Sequence, residues 1–343
     1  MIALPRRRVA VVPVFDGEAL LETCLEALLA SDATLELLVV DDASRDASVA
    51  VAARCAAAAG GRVRVVALDR NAGFAGAVNR GIAAIDPPLV PDDLVVLVNQ
   101  DCIVRSGWLV PLEAALADAS VAAAGARLLD SDGVTLQHAG ARVEANGLTS
   151  HLGRGSRDPG AFRVARDVDY VCAAIFALRY GNWQRIGRFD EGYAPAYFEE
   201  VDWCRRAQAA GLRIVYVPQS EALHAEASTS RGDESLFLRR YHRSRMRFVA
   251  RHLFGPAWLR AELAWMLRLR RLREIAPALA AWPRLLQSLA ELASEQRGAV
   301  AAQAGADVAG RSGPHHARAS LLAAKRSVDV AGGSAAGRAE ARG

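Results

Sequence analysis

Leu35-Glu36-Leu37-Leu38-Val39-Val40-Asp41-Asp42-Ala43-Ser44 is the stretch that decides the fold. Residues 35–40 are a short apolar run with β-branched character, the length of a buried strand. The run stops at two acids. Ser44 is placed to cap the helix that follows, with Asp46 and an alanine-rich run behind it. The same unit of strand, polar turn and helix recurs on both sides. Upstream, Val9–Val14 reads as a strand that Pro13 ends and Phe15-Asp16-Gly17 turns. Residues 18–30 then carry Leu20, Leu21, Cys24, Leu25 and Leu28 at helical spacing. Downstream, Arg62–Leu68 is the third strand, and Arg70–Gly76 is a loop opening a helix that runs to about Ile85. Leu94–Val98 is the fourth strand, ending in Asn99-Gln100-Asp101. This alternation predicts an α/β fold with a mainly parallel sheet and right-handed crossovers. Ligands of such sheets bind beyond the carboxyl ends of the strands, where Asp41, Asp42 and Asp101 all lie.

After a helix near 107–118 the pattern changes. Residues 121–179 read as strands and hairpins, with turn signals at Asp130-Ser131-Asp132-Gly133 and Asn146-Gly147. Val168–Leu178 reads as one strand, 180–187 as a short helix and Arg188–Gly192 as a turn. A helix begins near Tyr197-Phe198-Glu199-Glu200-Val201-Asp202, and strand Arg213–Val217 precedes Pro218 and a loop holding His224. From Asp233 the chain is helical and basic, with Trp258, Trp265, Trp282 and Arg268, Arg270, Arg271, Arg273 interleaved. Beyond Gln296 the composition turns to Ala, Gly, Arg and Ser without apolar periodicity, which predicts a disordered tail. The expected organisation is a catalytic domain over 1–232, with halves 8–118 and 119–232, a basic helical extension over 233–296 and a tail over 297–343.

Hydrophobic residues make up 52% of the 343, enough for a sizeable core, and the net charge is +4. That modest excess calls for no nucleic-acid partner. The five cysteines have no paired CxxC spacing and sit in apolar contexts, as reduced core thiols do. No apolar segment follows the N-terminal arginines as a signal peptide would require, and no run of about 18 uncharged apolar residues occurs. The expected location is cytoplasmic. The arginine-and-tryptophan helices allow a peripheral place on an anionic membrane surface, or equally a helical cap with solvated arginines.

Three carboxylates within four residues, Glu199, Glu200 and Asp202, repel one another. At least one should have a raised pKa or face a cation, as befits a general base beside a metal site. The alternative is the acidic first turn of an ordinary helix. Two adjacent acids at 41–42 exceed what a helix cap needs and suit hydrogen bonds to a ligand's imide or sugar hydroxyls. Asp101 can hold a hard divalent cation bridging diphosphate oxygens, or serve as a turn residue. His224, just past a strand, is a candidate metal ligand or a satisfied structural residue. Gly73 and Gly76 do not make a G-x-G-x-x-G fingerprint and follow the third strand, and no P-loop lysine exists, since Lys325 is the only lysine. A dinucleotide-dependent oxidoreductase is thereby disfavoured.

The ordered set of motifs resembles the inverting family 2 glycosyltransferases of GT-A fold, and most of all the bacterial rhamnosyltransferase-type enzymes of cell-surface polysaccharide synthesis. The matching pieces are Val12-Pro13-Val14-Phe15, Val39 to Ser44, Asn71-Ala72-Gly73-Phe74 through Asn79-Arg80-Gly81, and Asn99-Gln100-Asp101. Phe189-Asp190-Glu191, Phe198 to Asp202, and His224 with Ser228 complete the set, over about residues 8–255.

The resemblance implies that Asp41 and Asp42 contact base and ribose, with Pro13, Val14, Asn71, Gly73, Phe74, Asn79, Asn99 and Gln100 shaping the donor site. It implies Asp101 and His224 as ligands of Mg²⁺ or Mn²⁺, and Glu200 as the base, with Glu199 and Asp202 able to exchange roles with it. Two positions depart from the family pattern. Asn99 stands where the metal motif usually has its first Asp, and the base is Glu rather than Asp. The implied donor is dTDP-rhamnose or a UDP-sugar, and the implied acceptor a glycan or lipid-linked glycan. The competing class is a non-catalytic scaffold or nucleotide-sugar-binding protein in a polysaccharide assembly complex, which release of nucleoside diphosphate would separate from the enzyme.

Overall fold

The computed structural model describes residues 7–157, 160–225, 234–268 and 272–311. Four parallel strands form the first half of the sheet: β1 (Arg8–Val14), β2 (Glu36–Asp41), β3 (Val63–Ala67) and β4 (Leu94–Val98). They are joined through α1 (Glu18–Ser31), α2 (Ser48–Ala58) and α3 (Gly73–Ala83). The expected unit of strand, turn and helix is therefore present, with ends moved by a residue or two. One cap differs. α2 begins at Ser48 without a side-chain cap from Ser44, whose hydroxyl instead accepts from Asp16 N–H.

Next come β5 (Cys102–Val104), α4 (Leu109–Leu116), β6 (Val121–Leu129), β7 (Leu136–His138), β8 (Ala141–Val143), β9 (Thr149–His151), β10 (Arg166–Asp167) and β11 (Ile175–Arg179). Then follow α5 (Tyr180–Ile186), a 3₁₀ turn at Glu191–Tyr193, α6 (Glu199–Ala209) and β12 (Arg213–His224). The helical extension is α7 (Glu234–His252), α8 (Pro256–Arg268), α9 (Leu272–Ala280) and α10 (Trp282–Arg311). The main sheet runs β10-β12-β6-β11-β4-β1-β2-β3, with β5 on β12 and β7 on β6. β11 is antiparallel to both β4 and β6, whereas β12 is parallel to β6. The sheet is thus parallel in its first half and mixed in its second.

Both faces of the sheet are covered, which is why its strands read as unbroken apolar runs. Alternate residues feed two separate cores. Val9, Val11, Val95 and Leu97 enter one, and Ala10, Val12, Val96 and Val98 the other. Gly81 lets α3 settle on the sheet, since a Cβ there would lie 2.6 Å from Val40 Cγ2.

Two expectations are corrected. Only Ile175–Arg179 of the predicted 168–178 run is a strand. β12 does not stop at Val217 but continues through a register shift to His224, so the histidine sits on a strand end and not in a loop. The expected tail boundary at 297 falls inside α10. Residues 312–343, with Ser228, Arg270 and Arg271, lie outside the described residues. The chain divides into two compact units, Met1–Ser288 and Leu289–Gly343. The sheet, the hairpin and α7 to α9 belong to the first. Among the described residues no helix is long and apolar enough to cross a membrane.

The Asn146-Gly147 turn joins β8 and β9 into a two-stranded hairpin. That hairpin is fastened to the helical extension. Arg245 of α7 donates to the Asn146 carbonyl (2.9 Å) and, through two bonds of 2.7 Å, to Glu262 of α8. Both charged side chains are fully buried, so the bidentate pairing offsets a desolvation that neither could bear alone.

Candidate functional site

A cavity of about 1050 Å³ opens at the carboxyl ends of β1 and β4, the position expected for a ligand site in a sheet of this kind. One wall is Pro13, Val14, Phe15, Asp42, Asn71, Gly73 and Phe74. The far wall is Tyr197 to Val201 with Tyr241 of α7, and Asn99, Gln100, Asp101 and His224 lie between the two.

Asp101 and His224 meet because the β4–β5 turn and the end of β12 are neighbours; Cys102 pairs with His224 in the sheet. His224 Nε2 lies 3.2 Å from Asp101 Oδ1 and 3.3 Å from Asn99 Nδ2. The tautomer of His224 follows from Gln137. Gln137 Nε2 donates to Asp130 Oδ1 and to the His224 carbonyl, both at 3.1 Å, so its Oε1 faces His224 Nδ1 as an acceptor. His224 therefore donates from Nδ1, and neutral His224 presents a bare Nε2 to a carboxylate oxygen. Two acceptors in that position need a proton or a cation between them, so the pair suits a metal held by few protein ligands. Cys102 completes the buried cluster with them. Burial pushes its thiol well up, and its Sγ donates to the Ala174 carbonyl (3.4 Å), which leaves it a poor ligand for a hard cation.

The three acids of α6, equivalent on paper, are separated by the helix. Phe198 precedes α6 in the left-handed region (φ 76°), as does Tyr197 (φ 82°). Consecutive non-glycine residues there are costly, about 1–3 kcal/mol each, and persist where the surroundings impose them. Here Ser244 of α7 donates to the Ala196 carbonyl (3.1 Å), and the Pro195 carbonyl accepts from Phe74 N–H (3.0 Å). The Pro195 contact also explains Gly73. Its φ is +73°, and a Cβ would lie 2.9 Å from that carbonyl oxygen.

The resulting entry angle sets the first turn of α6 against the cavity. Glu200 lines it, partly exposed; burial pushes its carboxyl up to about 7 against backbone N–H groups that pull it down. Glu199 is 2% exposed, and burial followed by the Glu200 charge pushes it well up, with Oε1 unpartnered. Asp202 does not line the cavity. It accepts from His252 Nε2 (2.7 Å), Arg206 Nε (2.8 Å) and Tyr193 OH (3.3 Å). Burial raises its pKa, but these donors outweigh burial and leave it low. Asp202 thus lies off the cavity and ties α6 to α7.

The strand-end residues divide in the same way. Asp42 lines the cavity, yet its two oxygens accept from Ala72 N–H (2.6 Å) and Gly73 N–H (2.9 Å), closing the loop before α3. Asn71 braces that loop, donating to the Asp42 carbonyl (3.1 Å). Gln100 accepts from Phe15 N–H (2.8 Å). Asp41 is buried off the cavity, with Oδ2 accepting from Ser44 N–H (3.1 Å) and Oδ1 unpartnered. Asn79, expected in the donor site, is also elsewhere. It is buried and pairs both ways with the Phe189 backbone.

Sequence reasoning missed a group of wall residues: Thr149, His151, Arg154, Tyr170, Arg240 and Tyr241. They come from β9, an irregular segment and α7. No periodicity or motif marks them. Tyr241 OH accepts from Thr149 N–H (2.8 Å), so the helical extension is part of the cavity wall.

Comparison with known proteins agrees with this fold. The sequence profile of Glycosyl transferase family 2 matches residues 9–181. An N-acetylglucosaminyl-diphospho-decaprenol L-rhamnosyltransferase of Mycobacterium tuberculosis is 31% identical over 268 residues, 72% of this chain and 85% of that protein. A mannosyltransferase of Pyrobaculum calidifontis, solved with GDP-Man and Mn²⁺, superposes with TM-score 0.53 at 18% identity, covering 90% of this chain and 83% of that one. GalNAc-T7, solved with UDP, GalNAc and Mn²⁺, gives TM-score 0.55 at 16% identity over 71% of this chain and 47% of its own. These likenesses show the GT-A fold. With a profile over half its length and a relative at that identity, the chain belongs to glycosyltransferase family 2.

Proposed function

We propose that the chain is an inverting sugar transferase that moves rhamnose from a nucleoside-diphosphate donor to a lipid-linked glycan acceptor of the cell surface. The observation that carries this reading is the pairing, in one cavity, of a carboxyl near pKa 7 with an Asp–His pair fit for a divalent cation. The named activity of the mycobacterial relative supports rhamnose as the sugar and a diphospholipid-borne acceptor. dTDP-rhamnose is the first donor to try and UDP-sugars the second.

Glu200 takes the proton from the acceptor hydroxyl, which attacks the anomeric carbon from the face opposite the leaving diphosphate. A base with pKa near the working pH combines sufficient ionisation with sufficient basicity. One base and no separate nucleophile make the displacement single, hence inverting. Asp101 and His224 would hold Mg²⁺ or Mn²⁺, which when bound offsets charge developing on the diphosphate. Gln137 orients His224 for that task. Phe15 and Arg45, stacked at 5.3 Å, flank the donor end of the cavity.

The decisive experiment is a panel of nucleoside-diphosphate sugars assayed for diphosphate release and product anomeric configuration, with Mg²⁺ or Mn²⁺ and again with EDTA. Retention of configuration would overturn the single displacement. Turnover unchanged in EDTA would overturn the metal.

The helical extension fits a peripheral seat on the inner face of the membrane where such an acceptor is held. On α8, Leu259, Leu263 and Leu267 repeat every fourth residue and are exposed, with Arg260 and Arg268 beside them. Co-flotation with anionic liposomes at low salt is the expected result, and its absence would remove the membrane from the reading.

A further inference from the structure

The far wall of the cavity includes one face of α7. Phe237, Arg240 and Tyr241 stand at the i, i+3, i+4 spacing of a single helix face, and all three line the cavity. The two aromatics fix that face. The Phe237 ring meets Tyr197 edge to face with centroids 5.3 Å apart, and the Tyr241 ring lies 5.2 Å from that of Phe198. The Tyr241 hydroxyl accepts from Thr149 N–H (2.8 Å). Tyr197 and Phe198 lead directly into Glu199 and Glu200. Arg240 is therefore built into the wall of the candidate base, not into the part of the cavity formed by Asp101 and His224.

Arg240 has no task inside the protein. Its neighbours on α7 do: Arg239 donates to Ser235 Oγ, and Arg243 to the Ala194 carbonyl (2.7 Å). At the donor end of the cavity Arg45 pairs with Asp16 (2.6 Å). Among the described residues Arg240 makes no hydrogen bond and no ion pair, although it is half-buried. A guanidinium so placed has given up part of its water without a protein anion in return, and its N–H donors are open to a ligand. Its planar fork matches the oxygens of a phosphate bidentately.

Under the transferase reading above, on which this inference rests, two diphosphates meet in the cavity. One leaves with the donor nucleotide, and the other joins the acceptor sugar to its lipid. The Asp101–His224 pair serves the first. The second belongs where the acceptor lies, and the acceptor hydroxyl must reach Glu200. That hydroxyl and the diphosphate sit on different carbons of one sugar, so a cation in the same wall as Glu200 suits the second. We propose that Arg240 binds the diphosphate of the lipid-linked acceptor and thereby selects a sugar diphosphate over the same sugar without it.

The test offers the full chain two soluble acceptors, with the donor that the sugar panel selects. One is an N-acetylglucosaminyl diphosphate bearing a short alkyl chain, the sugar following the name of the mycobacterial relative. The other is the alkyl glycoside of the same sugar, without the diphosphate. Wild type should prefer the first. In Arg240→Met the ratio of kcat/KM on the first to kcat/KM on the second should fall about tenfold, the loss of a charge-assisted contact, with the donor KM unmoved. Arg240→Lys, which keeps the charge but not the fork, should fall less. Both variants should melt as wild type does, since no other residue leans on Arg240. A ratio that does not move in Arg240→Met, whether both acceptors suffer alike or neither does, would overturn the proposal. A rise in donor KM alone would assign the residue to the donor's diphosphate and overturn it as well. Calorimetry of the alkyl diphosphate compound reads the contact without turnover: weaker binding to Arg240→Met is expected, and equal binding to both proteins would overturn the proposal. Arg240-dependent binding without any transfer would fail the transferase reading alone, and transfer with an unmoved ratio would fail this one alone.

Discussion

The two walls of the cavity are built on different terms. The wall from the ends of β1, β2 and β4 is rich in polar residues, and most of their hydrogen bonds are spent on the protein's own loops. Asp42 closes on Ala72 and Gly73, Asn71 on Asp42, and Gln100 on Phe15. The wall from β9, α6 and α7 has fewer motif residues. It nonetheless holds the carboxyl with pKa near 7. One wall shapes and the other carries reactive groups. Shape needs satisfied backbone groups, whereas reactivity needs a group whose charge the protein has made costly.

The sharpest break in that comparison is Glu200→Gln. It should lower kcat by about 10²–10⁴-fold while leaving donor binding close to wild type, as read by turnover and calorimetry. Substantial residual turnover would move the base elsewhere. Glu200 also sets the pH dependence, with opposite signs for activity and stability. Activity should rise through pH 7, where the carboxyl ionises. Its folded pKa lies above the ordinary 4.5, so the unfolded chain loses the proton first as pH rises. Stability from this group is thus full below about 4.5 and falls until about 7. The melting temperature of Glu200→Gln relative to wild type should climb over that window and level off above it. A flat difference would deny the raised pKa.

Asp202→Ala attacks the same helix at a position turned away from the cavity, and should act differently. It strands His252, Arg206 and Arg251 around a buried gap. The expected cost is about 3–5 kcal/mol of stability, read by denaturant unfolding. A fully stable but inactive Asp202→Ala would return this acid to the candidate bases. Smallest of the three is Gln137→Leu, which frees the His224 ring without touching either candidate ligand. A loss of about 10–100-fold in apparent metal affinity is expected, corrected in part by excess Mn²⁺. Unchanged metal dependence would separate Gln137 from the site.

Much of the fold was legible because its first half repeats a strong pattern. Leu94–Val98 is the strand that the apolar run predicts, to the residue. Val168–Ala174 failed because apolar content alone does not distinguish a strand from a buried irregular segment; this one is held by its contacts with His138 and β8. The end of β12 was misplaced because Pro218 normally stops a strand, and here a register shift carries the chain past it.

By itself the sequence determined the alternation of strands and helices, the family, and the short roster of acids and the histidine from which the site is drawn. Tertiary structure alone decided their division of labour. Glu199, Glu200 and Asp202 are nearly the same chemical group at nearly the same place in the chain. The left-handed entry at Tyr197-Phe198 and the turn of α6 point them at different surroundings: one buried with its Oε1 unpartnered, one at the cavity, one among Arg206, Arg251 and His252. A carboxyl's proton affinity is set by what surrounds it, and those surroundings come from residues as distant in sequence as Ala173, Arg251 and His252.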